Sequence, residues 1–371
     1  MTNYPKNSIS RPYTNCMQAE STLSTDLTQV SSVRVPVRNF GLDALRAIAI
    51  SLVLCSHFYK PLNILGDYGV ELFFALSGFL IGGILLKSLH NFNRRALINF
   101  WTRRWFRTLP NYYWFLLLYL LFWPPVLEPR LLAYLVFLQN FAWPIMPFAG
   151  HTWSLAVEEW FYLLFPLMLL VLTRSARTRP MVMSRFLFTT MLFLVVPALL
   201  RFTEPLWIGQ PDPRMIVICR LDAIMYGVLF AYLKALGTNW QRLRGAWPLG
   251  VLGLAMSALL VARHNYYLQA TAFTIIPPSF AFLIPRVEQC KRVAAPLAAA
   301  IENLSIWSYS IYLCHMLVYF SIMRLVGYTR FGFALQFGTK VVSLLLAVGL
   351  SALNYKYFES PMTNLRERFC G

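Results

Sequence analysis

Charge is scarce in this chain of 371 residues: Asp, Glu, Lys and Arg together make up 13% of it. An average soluble domain carries nearly twice that share. Carboxylates are scarcer than bases, 15 against 33 Lys and Arg. The six cysteines form no CxxC and no cluster with histidine, so neither a zinc site nor a disulfide scaffold is indicated. No glycine-rich phosphate loop and no Gly-x-Ser-x-Gly elbow occurs. The first 38 residues are polar, rich in Ser and Thr, and have no apolar core of signal-peptide length. They are expected to form a flexible cytoplasmic tail.

What is present is apolar. Hydrophobic residues make up 58% of the chain and mean hydropathy is +0.54. The pattern predicts an all-α polytopic membrane protein of ten helices, near residues 42–60, 69–86, 109–124, 155–173, 186–202, 215–236, 246–262, 268–285, 304–324 and 334–355. The net charge of +18 does not point to nucleic acid, because the bases are parcelled out between the spans. With the N-terminus inside, inner segments hold about three times as many Lys and Arg residues as outer ones, which puts both termini in the cytoplasm. Residues 39–362 then form the membrane domain and 363–371 a short cytoplasmic tail. The stretch 87–108 reads as a short, intensely basic inner loop. The outer stretch 125–154 contains an apolar run broken by Gln139, Asn140 and prolines, expected to be re-entrant or interfacial.

Polar side chains inside spans cost at least ~2.5 kcal/mol even on a lenient scale, and those that stay there usually face the protein interior or a wet cavity. In "GLDALRAIAISLVLCSHFYKP", Arg46 and His57 lie eleven residues apart, close to three helical turns, so they form a polar stripe on one side. Histidine is the side chain best suited to moving a proton near neutral pH, which makes His57 the candidate catalytic base; a plain interfacial histidine is the competing reading. Arg46 and Asp43 are one turn apart and can pair. Arg46 either anchors the helix end by snorkelling or meets an anionic group entering from the cytoplasm. Glu71, at about the depth of His57, is a candidate to orient the imidazole or stabilise its protonated form, or else a carboxylate at the membrane edge. Ser77, Gly78, Gly82 and Gly83 suit close helix approach.

In "NFWTRRWFRTLPNYYWF", Arg103, Arg104 and Arg107 interleave with Trp101 and Trp105. Arginine forks fit phosphate oxygens and aromatic faces can stack on a base, as a coenzyme A donor would require; lipid phosphates would satisfy the same residues. "GHTWSLAVEEWFYLLFP" places His151 and Trp153 before a span, with Ser154 able to cap its first turn and Glu158 and Glu159 one turn on. Two adjacent carboxylates there suit a wet cavity or a favourable helix start. Arg220 and Asp222 are two apart and do not face the same way. His315 lies mid-span, and a hydrogen bond between helices is its simplest reading.

These stretches, with "GVELFFALSGFLIGG", "RLDAIMYGVLFAYL", "SIWSYSIYLCHMLVY" and "YKYFESPM", run in order over about residues 40–362. Together they resemble the integral-membrane acyltransferase 3 family, whose members acylate sugars of lipopolysaccharide, exopolysaccharide, Nod factors and some macrolides. The resemblance implies ten spans in a bacterial inner membrane and a cytoplasmic acyl-CoA donor, with acetyl the commonest acyl group. It maps the family's arginine and catalytic histidine onto Arg46 and His57, its basic loop onto Arg103, Arg104 and Arg107, and its tryptophan-serine-glutamate entry onto Trp153, Ser154 and Glu158. On this reading His57, Glu71 and Glu158 are the expected catalytic set. Arg46, Arg103, Arg104 and Arg107 hold the acyl-CoA donor, and His151, Trp153 and Ser154 bind the sugar or glycolipid acceptor. No metal, tightly bound cofactor or nucleic acid is expected, and membrane lipids are the surroundings. Some relatives carry an additional extracytoplasmic esterase-like domain after the membrane part; this sequence ends soon after the tenth predicted span, so a stand-alone form is expected. Direct attack by the sugar hydroxyl and an acyl-histidine relay both fit. The competing function is a transporter or flippase for a lipid-linked sugar, which would move the glycan unmodified; the absence of a clear inverted repeat lowers it.

Overall fold

The computed structural model describes residues 38–125, 128–145, 148–209, 211–237, 240–263, 265–327 and 333–369, except for the side chains of Lys60, His90, Phe333 and Ala334. The body of the chain is Asn39–Gly371. The expected N-terminal tail lies outside the described residues apart from Arg38.

Among the described residues every regular element is a helix: α1 Phe40–Phe58, α2 Asn63–Ser88, α3 Arg94–Phe122, α4 Trp153–Thr173, α5 Arg179–Thr203, α6 Leu221–Ala235, α7 Trp240–Gly245, α8 Trp247–Val261, α9 Tyr266–Val287, α10 Ala295–Val326, α11 Phe333–Asn354 and α12 Ser360–Leu365. Each predicted span overlaps one of them, and the one predicted from residue 215 begins as a helix only at Leu221. Among the described residues, seven helices are long and apolar enough to cross a membrane by length and composition. α6 and α8 have 15 residues each, about 22 Å of helix, and the first half of α3 is basic.

Local chemistry sets the ends. The Asn39 side chain accepts from Leu42 N at 3.0 Å and starts α1. Asn93 does the same for Ala96 N at 3.0 Å and starts α3. That cap corrects one expectation. Most of the predicted basic loop 87–108 is helical, and α3 runs from Arg94 through Pro110 without a break. The predicted cap at Ser154 is also overturned. A 3-10 turn over Gly150–Thr152 leads into α4, Thr152 Oγ1 turns back to Ala149 O at 2.9 Å, and Ser154 already lies inside the helix.

α2 is central, packed against α1, α6 and α9. Apolar burial does not drive helices together in lipid, so close backbone contact matters more. A Cβ on Gly78 would stand 1.9 Å from Ile224 O, and one on Gly227 2.0 Å from Ala75 O, so α2 and α6 cross backbone against backbone. Gly83 meets nothing within 4 Å and takes no part. Ion pairs close the same region. Arg201 grips Asp222 with two bonds of 3.0 and 2.7 Å, and Arg220 pairs with Glu71; both arginines are 0% exposed. Arg201 is thus a buried partner of α6.

The stretch after α3 packs back on that helix, with the Tyr112 and Tyr113 hydroxyls donating to Tyr134 O at 2.9 Å and Leu135 O at 2.7 Å. It forms a 3-10 helix over Pro129–Val136 and then turns at Phe137, whose φ is 58°. Its interrupting polar residues are its anchors: Asn140 Nδ2 donates to Trp153 O at 3.2 Å and to Met215 O at 2.5 Å.

Candidate active site

Two cavities meet in the middle of the bundle. The first, about 130 Å³, is lined by Arg46, Arg104 and Arg107 with Ser77, Thr108, Ser154, Glu158, Tyr162, Ser308 and Tyr309. The second, about 840 Å³, is lined by His57, His151, Asp67, Glu128, Arg214, Trp123 and Trp153 among others. Val70 and Tyr312 line both and form the partition between them. The polar stripe of α1 thus ends in the basic cavity at Arg46 and in the histidine cavity at His57, with Ile50 and Val53 fully buried between them.

In the basic cavity, Arg46 Nη1 donates to Asp43 Oδ1 at 3.0 Å, as the one-turn spacing predicts. Asp43 also accepts from Ser305 Oγ at 2.8 Å, which ties α1 to α10. Arg103 is exposed and does not line this cavity. Arg104, Arg107 and Thr108 share one face of α3, and at about 100° per residue Arg103 lies off its edge. Trp101 and Trp105 stack on each other at 5.6 Å between ring centroids, and Trp101 Nε1 donates to Tyr162 O at 3.0 Å. They pack the wall of the site. Tyr162 carries Arg104 over its ring at 5.2 Å, donates to Glu158 Oε2 at 3.1 Å, and meets Ser77 Oγ at 2.6 Å.

Glu158 therefore stands among the arginines of one cavity, while His57 lines the other. Glu71 lines neither cavity: it is 1% exposed and bonded to Arg220, because an unpaired carboxylate in that apolar layer would be costly. The partner of His57 is His315. The bond from His57 Nδ1 to His315 Nε2 is 3.0 Å, and His315 Nδ1 bonds to Ile311 O at 3.0 Å. His315 is 0% exposed, whereas His57 is exposed on the cavity side.

His151 completes a group of three imidazoles, its ring centroid 5.6 Å from that of His315. Among the described residues its Nε2 is buried and has no hydrogen-bond partner, a donor or acceptor left open at the cavity edge. Trp153 lines the histidine cavity and the next residue, Ser154, lines the basic one. Ser154 Oγ bonds the Tyr312 hydroxyl at 2.6 Å, and Tyr312 donates to His151 O at 2.5 Å, so the partition is clamped from both sides. On the far wall Arg214 binds Asp212 at 2.8 Å and reaches Asp67 at 3.4 Å. The bonds to Asp212 raise the Arg214 pKa above arginine's ordinary value, so it is a fixed cation. Among the described residues no set of three or more His, Cys, Asp or Glu side chains could hold a metal ion.

Sequence reasoning missed Tyr312 as the divider and His315 as the partner of His57. The available signal was their i,i+3 spacing in "SIYLCH", which puts a hydroxyl and an imidazole on one face of an apolar helix.

A helical, multi-pass membrane protein whose interior is divided into a basic and a histidine-bearing chamber is the class that fold and site define. Within that class the chain belongs to the acyltransferase 3 family: the profile described as "Acyltransferase domain" matches residues 39–353. It is 25% identical over 355 residues to the O-acetyltransferase OatA of Staphylococcus aureus strains NCTC 8325 / PS 47 and COL, covering 87% of this chain and 57% of theirs. The chain thus spans little more than half the length of these relatives. A further protein of strain COL, provisionally named an O-acetyltransferase, is 34% identical over 158 residues, 38% of this chain and 26% of its own. No solved structure matches.

Proposed function

We propose that this chain is a membrane O-acyltransferase. It moves an acyl group, acetyl in the first instance, from cytoplasmic acyl-CoA to a hydroxyl of a sugar in a surface or secreted glycan or glycolipid. The observation that carries this reading is the pair of abutting cavities: arginines on one side of Tyr312, a paired histidine on the other. The acetyltransferase name of the relatives supports acetyl as the group moved. In the proposed arrangement the ten helices of 15 residues or more among the described residues all cross a bacterial inner membrane and both ends are cytoplasmic, following the distribution of basic residues.

Arg46, Arg104 and Arg107 bind the phosphates of coenzyme A through charge-assisted hydrogen bonds. Glu158, held by Tyr162, limits the positive charge of that chamber and keeps the arginines oriented. The acyl-pantetheine arm extends to the Tyr312 partition. The acceptor enters the larger chamber, where Trp153 offers an apolar face and His151 an open ring nitrogen. His57 takes the proton of the sugar hydroxyl as its oxygen attacks the thioester carbonyl. The carbon–sulfur bond breaks, and the proton passes to the departing thiolate. An acyl-histidine relay uses the same residues in two steps.

The test is transfer from labelled acetyl-CoA by the detergent-purified protein, with mass spectrometry of surface and secreted glycans from cells with and without the intact gene. Loss of one acyl mass from a glycan supports the reading. Thioester left unconsumed while an unmodified glycan crosses the membrane would establish the transporter instead.

A further inference from the structure

The proposed transfer needs a lone pair on a particular nitrogen of His57, and a neutral imidazole has two forms that differ in which nitrogen carries it. We propose that His315 is a positioning residue that fixes the tautomer of His57, holding the proton on Nδ1 and the basic lone pair on Nε2. This rests on the function proposed above for its consequence, though not for its geometry.

The assignment follows from which groups can donate. The carbonyl of Ile311 can only accept, so the 3.0 Å bond to it is donated by Nδ1–H of His315. In neutral His315 the other nitrogen, Nε2, is then an acceptor. The second bond, also 3.0 Å, must therefore be donated by Nδ1–H of His57. His57 is left with its lone pair on Nε2. His315 itself stays neutral for a physical reason: it is 0% exposed, and its hydrogen bonds go to a carbonyl and an uncharged ring, which offer little to offset a buried charge.

The order of burial fits the division of labour. His315 sits behind, on α10, and His57 stands in front, exposed on the cavity side. When Nε2 of His57 takes the proton of the acceptor hydroxyl, the ring becomes an imidazolium. Its Nδ1–H to His315 Nε2 bond is then charge-assisted and strengthens as the oxygen–carbon bond forms. When the carbon–sulfur bond breaks, Nε2 returns the proton to the thiolate, and both rings regain their starting tautomers. No proton leaves the pair through His315. This is the orienting duty that a carboxylate performs in serine-hydrolase triads, here given to a neutral ring anchored on a main-chain carbonyl.

Two variants separate this role from a merely structural one. His315→Leu removes the acceptor and keeps an apolar side chain in the helix. His315→Gln can place an amide oxygen near the position of Nε2 and accept again. The chain holds five histidines, so spectra of ¹⁵N-histidine-labelled protein are tractable. The wild-type spectrum should show His57 protonated at Nδ1, identified by its loss in His57→Ala. His315→Leu should raise the share of the opposite tautomer, leaving only the Val53 carbonyl of the same helix to hold the proton on Nδ1. In transfer assays His315→Leu should lower kcat about 10- to 100-fold, less than the roughly 10²- to 10⁴-fold of losing proton transfer outright, with KM for acetyl-CoA nearly unchanged. His315→Gln should recover to within about fivefold of wild type. A His57 proton on Nε2 in the wild type overturns the proposal. So do equal kcat values for the Leu and Gln variants at equal melting temperature. The spectrum is read on the protein alone, so a wild-type protein that moves no acetyl group defeats the proposed function while the tautomer assignment stands or falls on the spectrum.

Discussion

Arg103, Arg104 and Arg107 are chemically alike, and the structure separates them by angle. Arg104 and Arg107 line the basic cavity, and Arg103 is exposed outside it. A phosphate contact of this kind is worth about 1.5–3 kcal/mol. Arg104→Ala or Arg107→Ala should therefore weaken coenzyme A binding by about tenfold or more, while Arg103→Ala leaves it near wild type. Calorimetric titration of coenzyme A into the purified protein decides the matter, and unchanged affinity in all three variants would return the arginines to a topological role. At His57 the expectation differs in kind. His57→Ala should fold and bind donor yet lose about 10²-fold or more in transfer. Near-wild-type turnover at saturating donor would move the base elsewhere, first to His151. The density of arginines was legible in the sequence. Which of them share a cavity was not, because that depends on how α3 is rotated against α4 and α10.

At the scale of helices, the intramembrane charges are partners across elements. Arg220, just before α6, bonds to Glu71 of α2 and to Phe273 O of α9 at 3.0 Å, and Arg201 of α5 joins Asp222 of α6 to Thr274 of α9. Removing one member leaves the other buried and unpaired, at a cost of about 3–5 kcal/mol. Arg220→Ala should thus lower the melting temperature sharply, and Glu71→Gln in the same chain should recover part of the loss. A single Arg220→Ala as stable as wild type would show that Glu71 is wet or protonated there. Gly78→Leu should be at least as damaging, since its side chain would run into the Ile224 carbonyl, whereas Gly83→Leu should be tolerated. The sequence announced costly charges at Glu71, Arg220 and Asp222 through the depth of their spans. It could not name the partners: the pair Arg220 and Glu71 lies 149 residues apart.

For the molecule as a whole, the proposed orientation predicts which face each end sees. In a cysteine-free background, Asn364→Cys after α11 should be protected from an impermeant thiol reagent in intact cells. Glu128→Cys beside the histidine cavity should be labelled. Labelling of Asn364→Cys from outside would reverse the orientation. The described part of the C-terminal segment is not a loose tail: α12 and the 3-10 turn over Arg366–Arg368 follow α11, and Phe369 stacks on Phe106 of α3 at 5.1 Å.

Composition and the period of apolar residues by themselves determined that this chain is a bundle of membrane helices, where its apolar helical stretches lie, and that Arg46 and His57 face one way along α1. Those are local properties: apolar length is counted along the chain, and a helix turns by a set angle per residue. Only the packing decided that Glu71 belongs to Arg220, that Glu158 belongs with the arginines, that Tyr312 divides two chambers, and that His315 stands behind His57. Each of these is a meeting of side chains from different helices, and helix rotation and crossing are set by small-residue contacts and polar bonds that no single span contains.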